Sequence, residues 1–289
     1  MNHRLRTSRS VGIGLLIAGL TVGAVAHAGL LSRVLNGGFV PNWTLGGEPV
    51  RLIEVPTPTP LGTGPCTGVR PGAIVKSDKG QCTFNFVLTG GDGKTYIGTA
   101  GHCILGDSAI GGDAGEMIWG PGKGPEARDG GNVRIGEFVY AILQDPKDFA
   151  LIRVDPGVTA NPQMCHFGGP TGVNSDMPWG AVVLHHYGNG VGVGSVVPAR
   201  TGLALGMPDP DHVFAQALAV PGDSGSGIIS HDGRAVGVIV TVGIHSASIG
   251  TGGVDAGIVG ITRLAPQVAR AKVKLGIGLT LKKVDPTPP

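Results

Sequence analysis

The sequence predicts an all-β protein, a sandwich or barrel of short strands that ends on one helix. Three observations carry this. Glycine supplies 53 of 289 residues and charged residues only 15%, a composition that suits tight turns and short strands. Two series of short Val/Ile/Leu-rich runs succeed each other, separated by Gly/Asp/Asn clusters. Only residues 262–275 carry apolar side chains at three- and four-residue steps.

In the first series, Ala73–Val75, Cys82–Leu88, Lys94–Thr99, Val133–Ala141 and Phe149–Val154 read as strands. Turn clusters such as Gly90-Gly91-Asp92-Gly93 and Asp129-Gly130-Gly131-Asn132 divide them. The second series is Ala181–His186, Val191–Val197, Val213–Val220, Gly227–Ser230, Ala235–Val242 and Gly257–Ile261. This order argues against alternating β and α elements. Leu264, Val268, Ala271 and Leu275 form the stripe of the one packed helix. Pro266 is tolerable in its first turn, and Gly276 would end it. The tail, residues 277–289, is expected to fray from Lys282 onward.

Residues 1–28 have the form of a secretory signal. A basic start (Arg4, Arg6, Arg9) precedes an apolar run, Val11–Ala26, and Ala26-His27-Ala28 is a small-x-small cleavage site. The rival is a membrane anchor, but the run is short for the ~20 residues a span requires. Three of the 22 basic residues lie in this leader, leaving 19 basic against 20 acidic in the remainder. That balance offers no footprint for nucleic acid or an anionic membrane. Residues 29–65, rich in Gly and Pro and ending near Pro56-Thr57-Pro58-Thr59-Pro60, read as an arm or a removable pro-segment. An exported chain favours disulfides among Cys66, Cys82, Cys103 and Cys165, with three pairings open. No Cys-x-x-Cys or paired-histidine spacing supports zinc, and no twelve-residue calcium loop occurs, so no metal or cofactor is expected.

The chemistry centres on Pro221-Gly222-Asp223-Ser224-Gly225-Ser226-Gly227. A serine hydroxyl needs a base within hydrogen-bond reach, and the base needs orienting. Thr99-Ala100-Gly101-His102-Cys103 supplies an imidazole, whose pKa lies near working pH. Asp148-Phe149-Ala150-Leu151-Ile152 supplies a carboxylate to set its tautomer. Gly222, without a Cβ, can turn its N–H toward a developing oxyanion, beside the N–H of Ser224. Each piece alone is weak. Gly-Asp-Ser-Gly is common turn composition, His102 could be a packed loop histidine, and Asp148 could be a strand-start residue. Together, in the order His, Asp, Ser, they point to one nucleophilic site.

These three stretches resemble the motifs of trypsin- and chymotrypsin-like serine proteases, most of all the shorter streptogrisin-like bacterial members. The resemblance runs from about Cys66 to Leu275, and Gly260-Ile261-Thr262-Arg263-Leu264 also resembles that family's ending. It implies two Greek-key six-stranded β-barrels, residues 66–160 and 161–260, with a C-terminal helix over 261–276. His102 and Asp148 would come from the first barrel and Ser224 from the second. It also implies a Cys82–Cys103 disulfide, with Cys66 and Cys165 left to each other. In many members the residue at Asp223 pairs with a freed N-terminus. No Arg/Lys-Ile-Val-Gly-Gly junction occurs here, and bacterial members use an internal arginine, which the sequence does not identify. Ser226 stands where a second glycine is usual.

The resemblance places Leu218 and Ala219 at the base of the primary pocket and Thr241 to Gly243 on its other wall. Leucine cannot supply the negative charge that selects Lys or Arg. An apolar or small residue before the scissile bond is expected. The remaining histidines are assigned no role: His185 and His186 adjoin in a strand, one facing in and one out, and His166, His212, His231 and His245 sit near turns. The sequence thus predicts a secreted, monomeric serine endopeptidase acting on polypeptides. Its rivals are a catalytically silent binding module on the same fold, an esterase, whose Gly-x-Ser-x-Gly elbow neither Ser224 nor Ser226 satisfies, and a protease held latent by residues 29–65.

Overall fold

The computed structural model describes residues 44–45, 48–49, 66–106, 113–175, 182–190, 198–242 and 258–284. The leader, most of residues 29–65, Val191–Val197 and residues 243–257 lie outside them. β1 (Thr44–Leu45) and β2 (Glu48–Pro49) pair with each other.

Two sheets form the body of the chain. The first contains β3 (Ile74–Ser77), β4 (Gly80–Thr83), β5 (Val87–Gly90), β6 (Thr95–Thr99), β7 (Gly115–Ile118), β8 (Glu126–Asp129), β9 (Arg134–Gln144) and β10 (Lys147–Val154). The second contains β11 (Gly172–Val173), β12 (Val183–Tyr187), β13 (Ala199–Asp209), β14 (His212–Gln216), β15 (Gly227–Ser230), β16 (Arg234–Val242) and β17 (Ile258–Arg263). In the second, β12 to β17 close on themselves, because β16 pairs with both β15 and β17. That is a six-stranded antiparallel barrel. The first sheet differs from the six-strand expectation. It is a nine-stranded sheet with β18 (Leu279–Leu281) at one end of its path and β4 at the other, and no pairing among the described residues closes it.

The alternation of the sequence explains most elements. β10 buries Phe149, Ala150, Leu151 and Ile152 completely, because it lies between β6 and β9 with both faces covered. Cys82–Leu88, expected as one strand, is instead the end of β4 and the start of β5. Between them the chain changes partners: the Phe84 N–H donates to Ala73 O and the Asn85 N–H to Gly98 O. Phe84 and Phe86, both fully buried, fill this corner.

The helix, α2 (Leu264–Leu275), buries Leu264, Val268 and Ala271 and stops at Gly276, which is left-handed with φ 66°; α1 is the single turn His102–Leu105. Of the stretch expected to fray, Lys282–Val284 is bonded in place, and residues 285–289 lie outside the described residues. β18 pairs antiparallel with β5, the Lys282 N–H donates to Val87 O, and the Val284 N–H donates to Pro170 O. Leu279 and Leu281 are buried there. Their two-residue alternation marks an edge strand too short to register as a run.

If β18 is an integral strand, Leu279→Ala should remove about 2–5 kcal/mol, the usual range for a core leucine. A calorimetric Tm equal to wild type would show that the tail does not hold the first sheet.

Candidate active site

Asp148 is the second residue of β10 and is buried, so its carboxylate is fixed by the strand. Its Oδ1 accepts the His102 backbone N–H at 2.9 Å, and its Oδ2 lies 2.7 Å from His102 Nδ1. The two contacts set both the backbone and the ring of the histidine against one carboxylate. Gly101 permits this approach: a Cβ there would run into the Ile142 carbonyl. The disulfide Cys82–Cys103 ties the histidine turn to β4, and Cys66–Cys165 is the second pair. Cys82, His102 and Cys103 would have metal-ligand chemistry as a trio. Both sulfurs are bonded to each other, so the trio offers no thiolate.

Ser224 belongs to the loop between β14 and β15. It and His102 line one cleft of about 360 Å³ with Gly80, Gln81, Cys82 and Cys103. The loop is docked onto the first sheet by its backbone. Ser224 O accepts the Thr83 N–H at 2.8 Å, and Gly222 O accepts the Thr83 hydroxyl at 2.8 Å. Gly225 sits so close that a Cβ would strike Thr99 Oγ1 and the Thr83 carbonyl, and its φ of 89° excludes most side chains as well. Thr262 adds a tie from β17, its hydroxyl donating to Pro146 O just before Asp148.

Among the amides of this loop, those of Asp223, Gly225 and Ser226 donate to Val220 O, Ile239 O and Asp223 O. The N–H groups of Gly222 and Ser224 have no protein acceptor among the described residues. They are the two the sequence marks out for an oxyanion, and Gly222 holds a φ of 100°. The two serines of the loop also separate. Ser226 is fully buried and its hydroxyl donates to Asp223 O at 2.6 Å. Ser224 is the one that faces the cleft.

The arginine missing from the sequence reading is Arg200. It lies on β13, is completely buried, and pairs with the equally buried Asp223. The carboxylate is further satisfied by the N–H groups of Gly190, 2.7 Å from Oδ1, and Val220, 2.8 Å from Oδ2. β13 escaped the strand reading because Gly202, Gly206 and Pro208 interrupt its pattern, so its arginine carried no signal.

Leu218 is half-buried and Ala219 buried, both just ahead of the loop. Neither borders the cleft shared by His102 and Ser224. Thr241 is a backbone position of β16, and Gly243 lies outside the described residues.

The histidines overturn their reading. His185 and His186 do not divide into one buried and one exposed; they are 2% and 1% exposed. Barrel closure covers one face of β12, and Phe167, whose ring lies 5.0 Å from that of His185, covers the other. His166 and His212 are buried too. Burial holds His166 down to about 4 and, with His231 and His166 nearby, His185 down to about 3. Burial and the Arg200 charge hold His186 well below its ordinary value.

No family model matches the chain, and no curated protein matches it in sequence. Solved structures do. Nocardiopsis protease is 22% identical with a TM-score of 0.48, covering 74% of this chain and 98% of its own. Thermobifida fusca protease A is 17% identical, TM-score 0.48, covering 74% and 99%. Cellulomonas bogoriensis chymotrypsin is 20% identical, TM-score 0.47, covering 75% and 99%.

Two outcomes follow from this geometry. Arg200→Met should cost about 3–5 kcal/mol, because it strands a buried carboxylate; a Tm within a degree or two of wild type would refute the pairing. The buried histidines have folded values below the ordinary 6.5. Their stabilisation is therefore complete above pH 6.5 and drains away as pH falls toward about 4 and about 3. Tm should already decline between roughly pH 6.5 and 5, before carboxylates take up protons; a flat profile across that interval would contradict neutral burial.

Proposed function

We propose that this chain is a serine endopeptidase. The observation that carries the proposal is that a carboxylate-paired histidine and a half-buried serine line one cleft, beside two amides without acceptors among the described residues. In this reading Ser224 Oγ attacks the scissile carbonyl carbon while its proton passes to His102 Nε2. Asp148 accepts the Nδ1–H of His102, keeps the Nε2 lone pair toward the serine, and stabilises the imidazolium. The carbonyl oxygen, now an oxyanion, accepts the N–H groups of Gly222 and Ser224. Collapse returns the proton from His102 to the leaving amine and leaves an ester on Ser224. Water, deprotonated by His102, then releases the acid and restores the serine.

Specificity in this proposal comes from Leu218, Ala219, Thr241 and Gly243. None carries a charge, so the residue before the scissile bond is apolar or small. Export is part of the same proposal. It rests on the leader at residues 1–28 and on two disulfides, which persist in oxidising compartments. No helix among the described residues is long and apolar enough to cross a membrane.

A fluorophosphonate probe and a fluorogenic peptide set test the assignment on the secreted chain. Ser224→Ala should lose probe labelling entirely and at least about 10⁴-fold in kcat, with His102→Ala similarly impaired. Labelling that persists in Ser224→Ala would remove the nucleophile, and a strong Lys or Arg preference would remove the pocket assignment.

A further inference from the structure

His186 is a buried polar residue that the mechanism above does not use. It stands directly opposite Arg200 in the register of β12 and β13, and opposite Ile228 of β15 on its other side. Its Nε2 lies 3.1 Å from the carbonyl oxygen of Leu218. Arg200 Nη1 lies 3.4 Å from the same oxygen while also pairing with Asp223. One carbonyl is thus held by two side chains from two neighbouring strands, inside a closed barrel.

The chemistry of the contact fixes the state of the ring. A carbonyl only accepts, so Nε2 must carry the hydrogen. Nδ1 has no hydrogen-bond partner among the described residues. The charged and titratable groups around the ring are Arg200 across the strand pair and His185 and Tyr187 along β12, with Asp223 beyond Arg200. A second proton on Nδ1 would place two cations side by side without water. The imidazole therefore serves as a neutral, single-proton donor.

We propose that His186 is a positioning residue of the site: with Arg200 it anchors the Leu218 carbonyl, and so sets the segment Leu218–Ser224. That segment supplies the proposed pocket base at one end and the oxyanion amides at the other. Val220 N–H bonds Asp223 Oδ2 within it, which makes it a short, braced arc rather than a free loop. The inference rests on the serine endopeptidase reading, since only that reading gives the arc a task.

Three substitutions separate the donor from the bulk. His186→Met fills the space with no donor, His186→Gln presents an amide N–H at the reach of Nε2, and His186→Asn presents one a bond short. Peptide kcat/KM and the fluorophosphonate labelling rate are read well below each variant's Tm. His186→Met should lose about tenfold in kcat/KM and in labelling rate, the worth of one buried hydrogen bond, with His186→Gln restored to within about threefold and His186→Asn in between. A lower Tm with unchanged kinetics in His186→Met, or equal kinetic loss in His186→Met and His186→Gln, would overturn the proposal. Should His186→Met not fold, the ordering of Gln above Asn carries the same decision. Long-range ¹H–¹⁵N spectra of the wild type give a reading that needs no activity. A neutral Nε2–H tautomer for His186 from pH 8 to 5 is expected, and an Nδ1–H or doubly protonated ring would overturn the anchor. A wild type with that tautomer but neither labelling nor turnover would instead sink the endopeptidase reading.

Discussion

Two hydrogen bonds from Thr83 hold the sheets together at the point that matters most. Its N–H and hydroxyl take the carbonyls of Ser224 and Gly222, while its own carbonyl accepts the Thr99 hydroxyl. Thr83 follows Cys82, which is bonded to Cys103 beside His102. The path from Ser224 to His102 therefore runs through one residue, one disulfide and one turn. Each of these hydrogen bonds is worth only about 0.5–1.5 kcal/mol to stability. In the proposed mechanism their importance is geometric, because a misplacement of about 1 Å can cost a hundredfold in rate. Gly225 completes the dock by removing the one atom that would hold the loop away.

The buried pair Arg200–Asp223 answers a different need. Moving two charges out of water costs several kcal/mol each, and mutual attraction alone seldom repays it. Here the carboxylate also receives two backbone amides, from Gly190 and Val220. The pair links the barrel wall at β13, the arc before the serine and the segment after β12. A hydrophobic replacement could match its stability but could not hold two N–H groups by their acceptor. The arrangement is therefore better understood as orientation than as adhesion.

The candidate site could be read in the chain because its residues sit in short, local stretches. His102, Asp148 and Ser224 each occupy a turn or a strand start flanked by small or apolar residues, and such texture survives without the fold. What was not legible depends on closure. Arg200 sits in an eleven-residue strand whose glycines and proline hide its period. His185 and His186 follow an alternation that should expose one of them, yet a closed barrel with Phe167 outside leaves neither face wet. β18 is three residues long, and its meaning lies in the free edge of β5, far away in sequence. The six-strand expectation for the first sheet came from family resemblance, whereas nine strands, β18 among them, form it.

The same closure explains why so many polar side chains lie under the arc from Leu218 to Ser224. A loop that presents its own N–H groups to a ligand cannot also spend them on secondary structure. It must then be held by its carbonyls and side chains. Thr83 takes two of its carbonyls, His186 and Arg200 take a third, and the Asp223 carboxylate folds back on the Val220 amide. The amides of Gly222 and Ser224, beside the cleft, are left without acceptors among the described residues. In the proposed mechanism, the buried histidine, arginine and aspartate hold the arc so that those two hydrogens stay free for the oxyanion.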